Sequence, residues 1–310
     1  MRYAVIDIGS NSVRLVVYET KGRDFKILFK HKVMAGLAGY VKNGRLKEKG
    51  IDRAVSALTE FKDITENFAV EDTFVFATAS LRNIVNTDRA VAKIFEKTGY
   101  PVQVISGEEE AHLGYIGAVY KRRQGAAPVV DIGGASTEIT LLGEKEKLNG
   151  ASYPAGSLKL YSDCVKGVLP GKKSVKKMEE RVAEIIDFSA VNGNKTDEII
   201  CVGGSCRGVF KIARYALNLP AKTDMLTRRQ FDALCKRLLV CDKKAYKIIL
   251  KTLPERVHTI IPGLIILKYI VEKLNVEKLY VSANGVREGY LCKNVLNGQQ
   301  TNTYTLKTEN

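Results

Sequence analysis

The sequence predicts two α/β units facing each other across a cleft, and three observations carry that expectation. The stretch AVIDIGSNSVRL (residues 4–15) reads as a strand ending in an aspartate, a Gly/Ser/Asn turn and a second strand. PVVDIGGASTEITL (128–141) then repeats the same order far down the chain. Both copies are followed by alternating helical and strand patterns, as in an internal structural repeat. The length, 310 residues, is about that of two domains.

Taken in order, the first 30 residues alternate apolar and polar side chains with turns at 9–12 and 20–24, which predicts a three-stranded antiparallel meander. The spacing over 44–68 predicts a helix with Ile51, Val55, Leu58, Phe61 and Ile64 or Thr65 on one face. TFVFATA (73–79) is a short buried strand, Ser80 a helix N-cap, 86–98 a helix and PVQVIS (101–106) a strand. A helix beginning at EEEAHLGYIGAVYK follows. From 128 the pattern restarts: strands to 141 and near 147–153, helices over 157–165 and 174–188, and a strand at 198–204 that leads into a helix. Helices near 227–240, 243–250 and 256–273 and a strand at 277–282 complete it, and the polar last 15 or so residues are expected to fray. The boundary falls at 118/119, giving domains 1–118 and 119–310, with the last helix free to pack back on the first domain.

Composition excludes several classes. No stretch approaches ~20 apolar residues, so no transmembrane helix is expected. The N-terminus lacks signal-peptide regions, so the default location is cytoplasmic. The six cysteines form no C-x-x-C pair and there are three histidines, which argues against zinc and for buried, reduced thiols. Net charge is +15, and it is uneven: +2 over residues 1–118 and +13 over 119–310. Such a balance is either ordinary solubility or a field that gathers a polyanion.

A Gly/Ser turn brings backbone N–H groups and hydroxyls to a phosphate, and an aspartate at the preceding strand end can hold magnesium. Taken singly, each turn is better explained as an ordinary hairpin. Glu108, Glu109 and Glu110 stand in a helix's first turn, where the dipole alone justifies carboxylates. Spacing does not select one of them. Ser106 with Glu109 makes an S-x-x-E capping pattern. Arg82, in SLRN, reads as a surface residue or a phosphate ligand. CVGGSCRG (201–208) lacks the Walker spacing, and anion binding and tight packing explain it equally well. ANGVREG (283–289) is assigned to structure first. Lys172, Lys173, Lys176 and Lys177, like Arg228 and Arg229, read as a solvated helix face, with a track for a polyanion as the minority reading.

Together DIGSNSVRL, ATASLRN, ISGEEEAHLGYIG, DIGGASTEI and VSANGVREGYL resemble, in order, the exopolyphosphatase and guanosine pentaphosphate phosphohydrolase family. The resemblance implies two ribonuclease H-like domains of the actin-like ATPase superfamily flanking a cleft. It implies release of terminal phosphate from polyphosphate, guanosine pentaphosphate or both. It makes Glu110 the base for the attacking water and Arg82 a contact to the transferring phosphate. Gly9, Ser10, Asn11 and Ser12 on one side, and Gly133, Gly134, Ala135 and Ser136 on the other, become phosphate-binding turns. Asp131 and Glu138 become the holders of Mg2+ or another divalent cation, with Asp7 in support. The expected partner is the phosphate polymer or alarmone substrate. Neither membrane nor nucleic acid is expected, and a homodimer is compatible. Ala135 departs from the family's usual third glycine, and would be strained if positive φ were required there. The C-terminal helical domains of longer members are not expected here. An ATP-dependent kinase or ATPase of the superfamily and a non-catalytic alarmone or polyphosphate sensor are the alternatives.

Overall fold

The computed structural model describes residues 1–120, 127–142, 148–188 and 196–296. The expected fraying of the last residues lies outside them. The chain divides into two compact units: Met1–Ile105 with the segment that starts at Val286, and Ser106–Gly285. The sequence boundary of 118/119 differs from this division by the helix over 107–119, which the contacts below assign to the second unit.

In the first unit, β1 (Arg2–Ile8), β2 (Val13–Lys21) and β3 (Asp24–Val33) form the expected meander. A single 3-10 turn (Leu37–Tyr40) and the two-residue ladder of β4 (Val41–Lys42) and β5 (Arg45–Leu46) lead to α1 (Glu48–Asn67). Helix α1 buries Ile51, Leu58, Phe61 and Thr65, the face its periodicity marks. Strand β6 (Asp72–Ala77), α2 (Ala79–Arg82), α3 (Thr87–Thr98) and β7 (Val102–Val104) follow. The sheet order is β3-β2-β1-β6-β7, antiparallel through the meander and parallel from β1 to β7. Ser80 corrects its expected role. Thr78 is the residue that precedes α2, and Ser80 sits inside the helix and donates its hydroxyl to the carbonyl of Ile8. The end of β1 is thereby tied to the start of α2.

The second unit begins with α4 (Gly107–Val119) and repeats the sheet: β8 (Val129–Ile132), β9 (Thr137–Leu142), β10 (Leu148–Tyr153). Then come α5 (Ser157–Cys164), α6 (Lys172–Ile185), β11 (Glu198–Val202) and α7 (Gly203–Ala216). The chain continues with β12 (Met225–Thr227), α8 (Arg228–Leu238), α9 (Lys243–Thr252), α10 (Ile260–Lys273) and β13 (Lys278–Val281). The order is β10-β9-β8-β11-β13-β12. Its first five strands match the first unit's topology, and β12 adds an antiparallel edge. Helix α4 is held on this sheet by Thr140, whose buried hydroxyl donates to the carbonyl of Ala111 at 3.0 Å. Ten buried residues on α10, Ile260 to Val271, fill the core of the unit.

After β13 the chain returns to the first unit through α11 (Val286–Leu291) and a π-helical turn, Cys292–Leu296. There the buried Tyr18 hydroxyl donates to Glu288 at 2.9 Å, and Tyr290 stacks on Phe76 with centroids 4.9 Å apart. Burial, with the Glu288 charge second, holds the Tyr18 phenol well above its ordinary pKa.

Candidate active site

The two Asp-Gly turns are built on one plan. In the first unit Asp7 pairs across the hairpin with Arg14, and in the second Asp131 pairs with Glu138. In both, the glycine two residues after the aspartate donates its N–H to a serine carbonyl three residues on: Gly9 to Ser12 at 3.1 Å and Gly133 to Ser136 at 3.0 Å. Ser10, Ser12 and Ser136 are buried in these turns.

Main-chain bonding gives each turn a polarity. In the second unit the carbonyl of Gly133 accepts from Ser157 N, and that of Gly134 accepts from Leu158 N and Lys159 N, at 2.9–3.0 Å. These are the first residues of α5. In the first unit the carbonyls of Ser10 and Asn11 accept from Ala38 N and Gly36 N, both at 2.9 Å. A trans peptide points its N–H opposite its C=O. The N–H groups of Gly134 and Ala135, and those of Asn11 and Ser12, therefore face away from these anchors and can converge on an anion. Gly156 lets α5 come this close, since a Cβ there would overlap the backbone of Gly134 and Ala135. Ala135 is not strained: the left-handed non-glycine residues are Asn43, Ala69, Asn218, Cys241 and Asn275, and Ala135 is not one of them.

The cross-strand partners separate the turns chemically. In the second unit Asp131, Glu138 and Ser152 form one row across β8, β9 and β10, and Ser152 donates to Glu138 Oε1 at 2.7 Å. Directly opposed residues share one face of a sheet, so two carboxylates lie side by side beside the phosphate turn. Glu138 is 3% exposed. The same row in the first unit reads Asp7, Arg14 and Lys32, and Asp7 is paired with Arg287 at 3.2 Å. One turn is flanked by acids, the other mainly by cations.

Asp131 also rests on the start of α7. Gly203 has φ +84°, and a Cβ there would overlap the Asp131 carboxylate. The glycines of CVGGSCRG are the first residues of α7, so the aspartate lies over a helix N-terminus, where negative charge is favoured. Sequence reasoning left this loop between packing and anion binding. The structure adds that it backs Asp131.

Glu110 lies in the first turn of α4 and is 8% exposed. Ser106 caps that helix by accepting from Glu109 N at 3.0 Å, and Glu110 N bonds to the Ser106 carbonyl at 2.9 Å. Glu109 is not among the buried polar residues, so burial distinguishes Glu110 from it where spacing did not. Arg82, at the end of α2, donates to the carbonyl of Ile105 at 3.1 Å. The sequence reading missed Ser152 as the partner of Glu138 and Arg287 as that of Asp7. The alternation of β10 could have marked Ser152, but Arg287, 280 residues from Asp7, left no local signal. Among the described residues, no group of three or more His, Cys, Asp or Glu side chains could hold a metal by itself.

Two matched meanders, each with an Asp-Gly turn, and each continued by parallel strands and helices, define a two-unit ribonuclease H-like protein with phosphate-type turns. The chain matches the Ppx/GppA phosphatase family over residues 15–298, and it belongs to that family. It is similar to the crystal structure of the Aquifex aeolicus Ppx/GppA family member, with 28% identity, a TM-score of 0.79, and coverage of 97% of this chain and 99% of that one. A Haemophilus influenzae relative provisionally named an exopolyphosphatase is 26% identical over 93% of this chain and 90% of its own. A Pseudoalteromonas atlantica relative, named guanosine-5'-triphosphate,3'-diphosphate pyrophosphatase, is 28% identical over 99% of this chain and 61% of its own. The chain thus spans about three-fifths of that second relative's length.

Proposed function

We propose that the chain is a phosphohydrolase that releases terminal phosphate from inorganic polyphosphate, guanosine pentaphosphate or both. Family membership and the names of its relatives support the substrate class. The observation that carries the reaction type is Glu110, a carboxylate buried at the head of α4 in the unit that also holds the Asp131–Glu138 pair. Glu110 orients a water and takes its proton as the oxygen attacks the terminal phosphorus in line. The N–H groups of Gly134 and Ala135 and the Ser136 hydroxyl donate to phosphate oxygens as charge shifts in the transition state. The resemblance also gives phosphate contacts to the first unit's turn of Gly9, Ser10, Asn11 and Ser12 and to Arg82, whose guanidinium suits phosphate because it donates in pairs.

Two adjacent carboxylates without a third ligand fit magnesium, which keeps waters and completes its shell with substrate phosphates. Asp131 and Glu138 would hold it, with Ser152 fixing the Glu138 carboxylate. When bound, the ion supplies charge neutralisation at the phosphate oxygens. A cytoplasmic setting goes with this reading, since the cysteines are free thiols and all but Cys241 are buried.

The test is phosphate release from tripolyphosphate, long-chain polyphosphate, guanosine pentaphosphate and ATP, with and without magnesium. Glu110→Gln is expected to lose about 10²- to 10⁴-fold in kcat, the usual contribution of a general base, while still binding substrate. Undiminished turnover by that variant would remove Glu110 from the mechanism.

A further inference from the structure

We propose that Arg287 is a positioning residue of the first phosphate turn. Its guanidinium neutralises the Asp7 carboxylate, so that the 9–12 turn accepts a phosphate without a metal ion of its own. The proposal rests on the phosphohydrolase reading, which gives that turn a phosphate. It also gives the ANGVREG segment a function beyond packing.

The need for a counter-charge is set by geometry. Asp7 Oδ1 lies 3.8 Å from the point where a Cβ would stand on Gly9, the first residue of the turn. A carboxylate in that place repels an incoming phosphate. The Arg287 and Asp7 side chains are only 15% and 16% exposed, so water and salt screen such a repulsion poorly. In the second unit the corresponding Asp131 stands opposite Glu138, and the counter-charge proposed for those two acids is a divalent cation. The first unit puts Arg14 in the place of Glu138, and Arg287 Nη1 donates to Asp7 Oδ2 at 3.2 Å. One carboxylate oxygen thus faces the turn while the other is held by the guanidinium. Arg14 adds to the same turn, since its Nε donates to the Ser12 hydroxyl at 3.1 Å. A hydroxyl that accepts in this way keeps its own proton to donate.

The segment that carries Arg287 has anchors besides it. The neighbouring Glu288 is buried and accepts from Tyr18 at 2.9 Å. Tyr290 stacks on Phe76 and donates its hydroxyl to Gln103. Loss of the guanidinium can therefore be separated from loss of α11. Stability gives no strong reason for the two charges, because a largely buried ion pair gains little over an apolar pair of the same size. A phosphate at the turn does give one.

The test is equilibrium binding of tripolyphosphate in EDTA, in a Glu110→Gln background, with thermal unfolding of each variant. Arg287→Met should weaken binding about 10- to 100-fold, the scale of one uncompensated charge several ångströms from the ligand in a poorly solvated site. Arg287→Gln keeps a donor for Asp7 without the charge, and should weaken binding as well. Arg287→Lys keeps the charge and should retain most of the affinity. Adding Asp7→Asn to Arg287→Met removes the repulsion and should restore affinity to within about threefold of the parent, as coupled neighbours require. Asp7→Asn alone leaves Arg287 unopposed and should not weaken binding. Tyr18→Phe removes an anchor of α11 but no charge, so it should lower the melting temperature and leave affinity unchanged. Undiminished binding by Arg287→Met or Arg287→Gln, or a double variant that binds no better than Arg287→Met, overturns the proposal. So does a loss in Asp7→Asn equal to that in Arg287→Met, which would make the pair a structural tie alone. Wild-type protein that cleaves no anhydride, yet shows this pattern of tripolyphosphate binding, overturns the hydrolase reading and leaves the counter-charge standing.

Discussion

Gly203 shows how much a single position can settle. Its φ of +84° lies where an L-residue is strained, and its missing Cβ leaves room for the Asp131 carboxylate. Gly203→Ala is expected to cost about 1–3 kcal/mol from the backbone alone. It should also push Asp131 out of its row with Glu138, raising the magnesium concentration for half-maximal turnover. Denaturant unfolding and a metal titration of phosphate release check the two effects separately. A variant that lost stability but kept its metal dependence would show that the glycine serves only the turn. Ala135 teaches the converse. It stands where the family usually has glycine, and its backbone conformation is one that alanine accepts.

At the scale of elements, α4 carries Glu110, the base we propose, and packs along β8, β9 and β10. Ser106 caps it, and Thr140 ties it to β9. Ser106→Ala should cost about 1 kcal/mol of stability, with Ser106→Asp retaining most of it, as read by thermal unfolding. Most elements were legible in the sequence because they are long and periodic. The meander, α1 and the strand at 73–79 declare themselves by alternation or by an apolar stripe. Strands β4, β5 and β12, of two or three residues each, are too short for a period. Ser80 was misread because a serine after a strand fits a cap as well as it fits the hydrogen bond it makes to Ile8. Glu110, Asp131 and Glu138 were legible through the family resemblance and not through spacing. The burial of Glu110, the Ser152 partner of Glu138 and the polarity of the turns come from strand pairing and from contacts between residues far apart in sequence.

For the molecule as a whole, both units contain thiols that must stay protonated. Burial pushes Cys235 in α8 up to about 12, with the Asp232 charge adding to it. Burial likewise pushes Cys292, in the turn after α11, up to about 12, with Glu288 adding. An unfolded cysteine ionises near 9, so above that pH the unfolded chain releases protons that the folded chain retains. The stability these groups carry is complete below about pH 9 and declines as pH rises toward 12. Denaturant midpoints measured from neutral to alkaline pH should fall in that window. Cys235→Ala and Cys292→Ala should each start lower, because a buried side chain is shortened, and fall less steeply. Equal slopes in wild type and variants would assign the alkaline loss to other groups.

The bonding of the second turn to α5 has one more consequence. Besides the Ser136 hydroxyl, the donors we assign to it belong to the main chain, and their direction is set by which carbonyls the helix has already claimed. Recognition of this kind is nearly blind to the side chains of residues 134 and 135, so the turn's sequence can drift while its function persists. Its vulnerability lies instead at Gly156, a residue that supplies no ligand atom and whose replacement would pry the helix away and let the peptides rotate. The most fragile letter of the turn is therefore written twenty residues after its last serine.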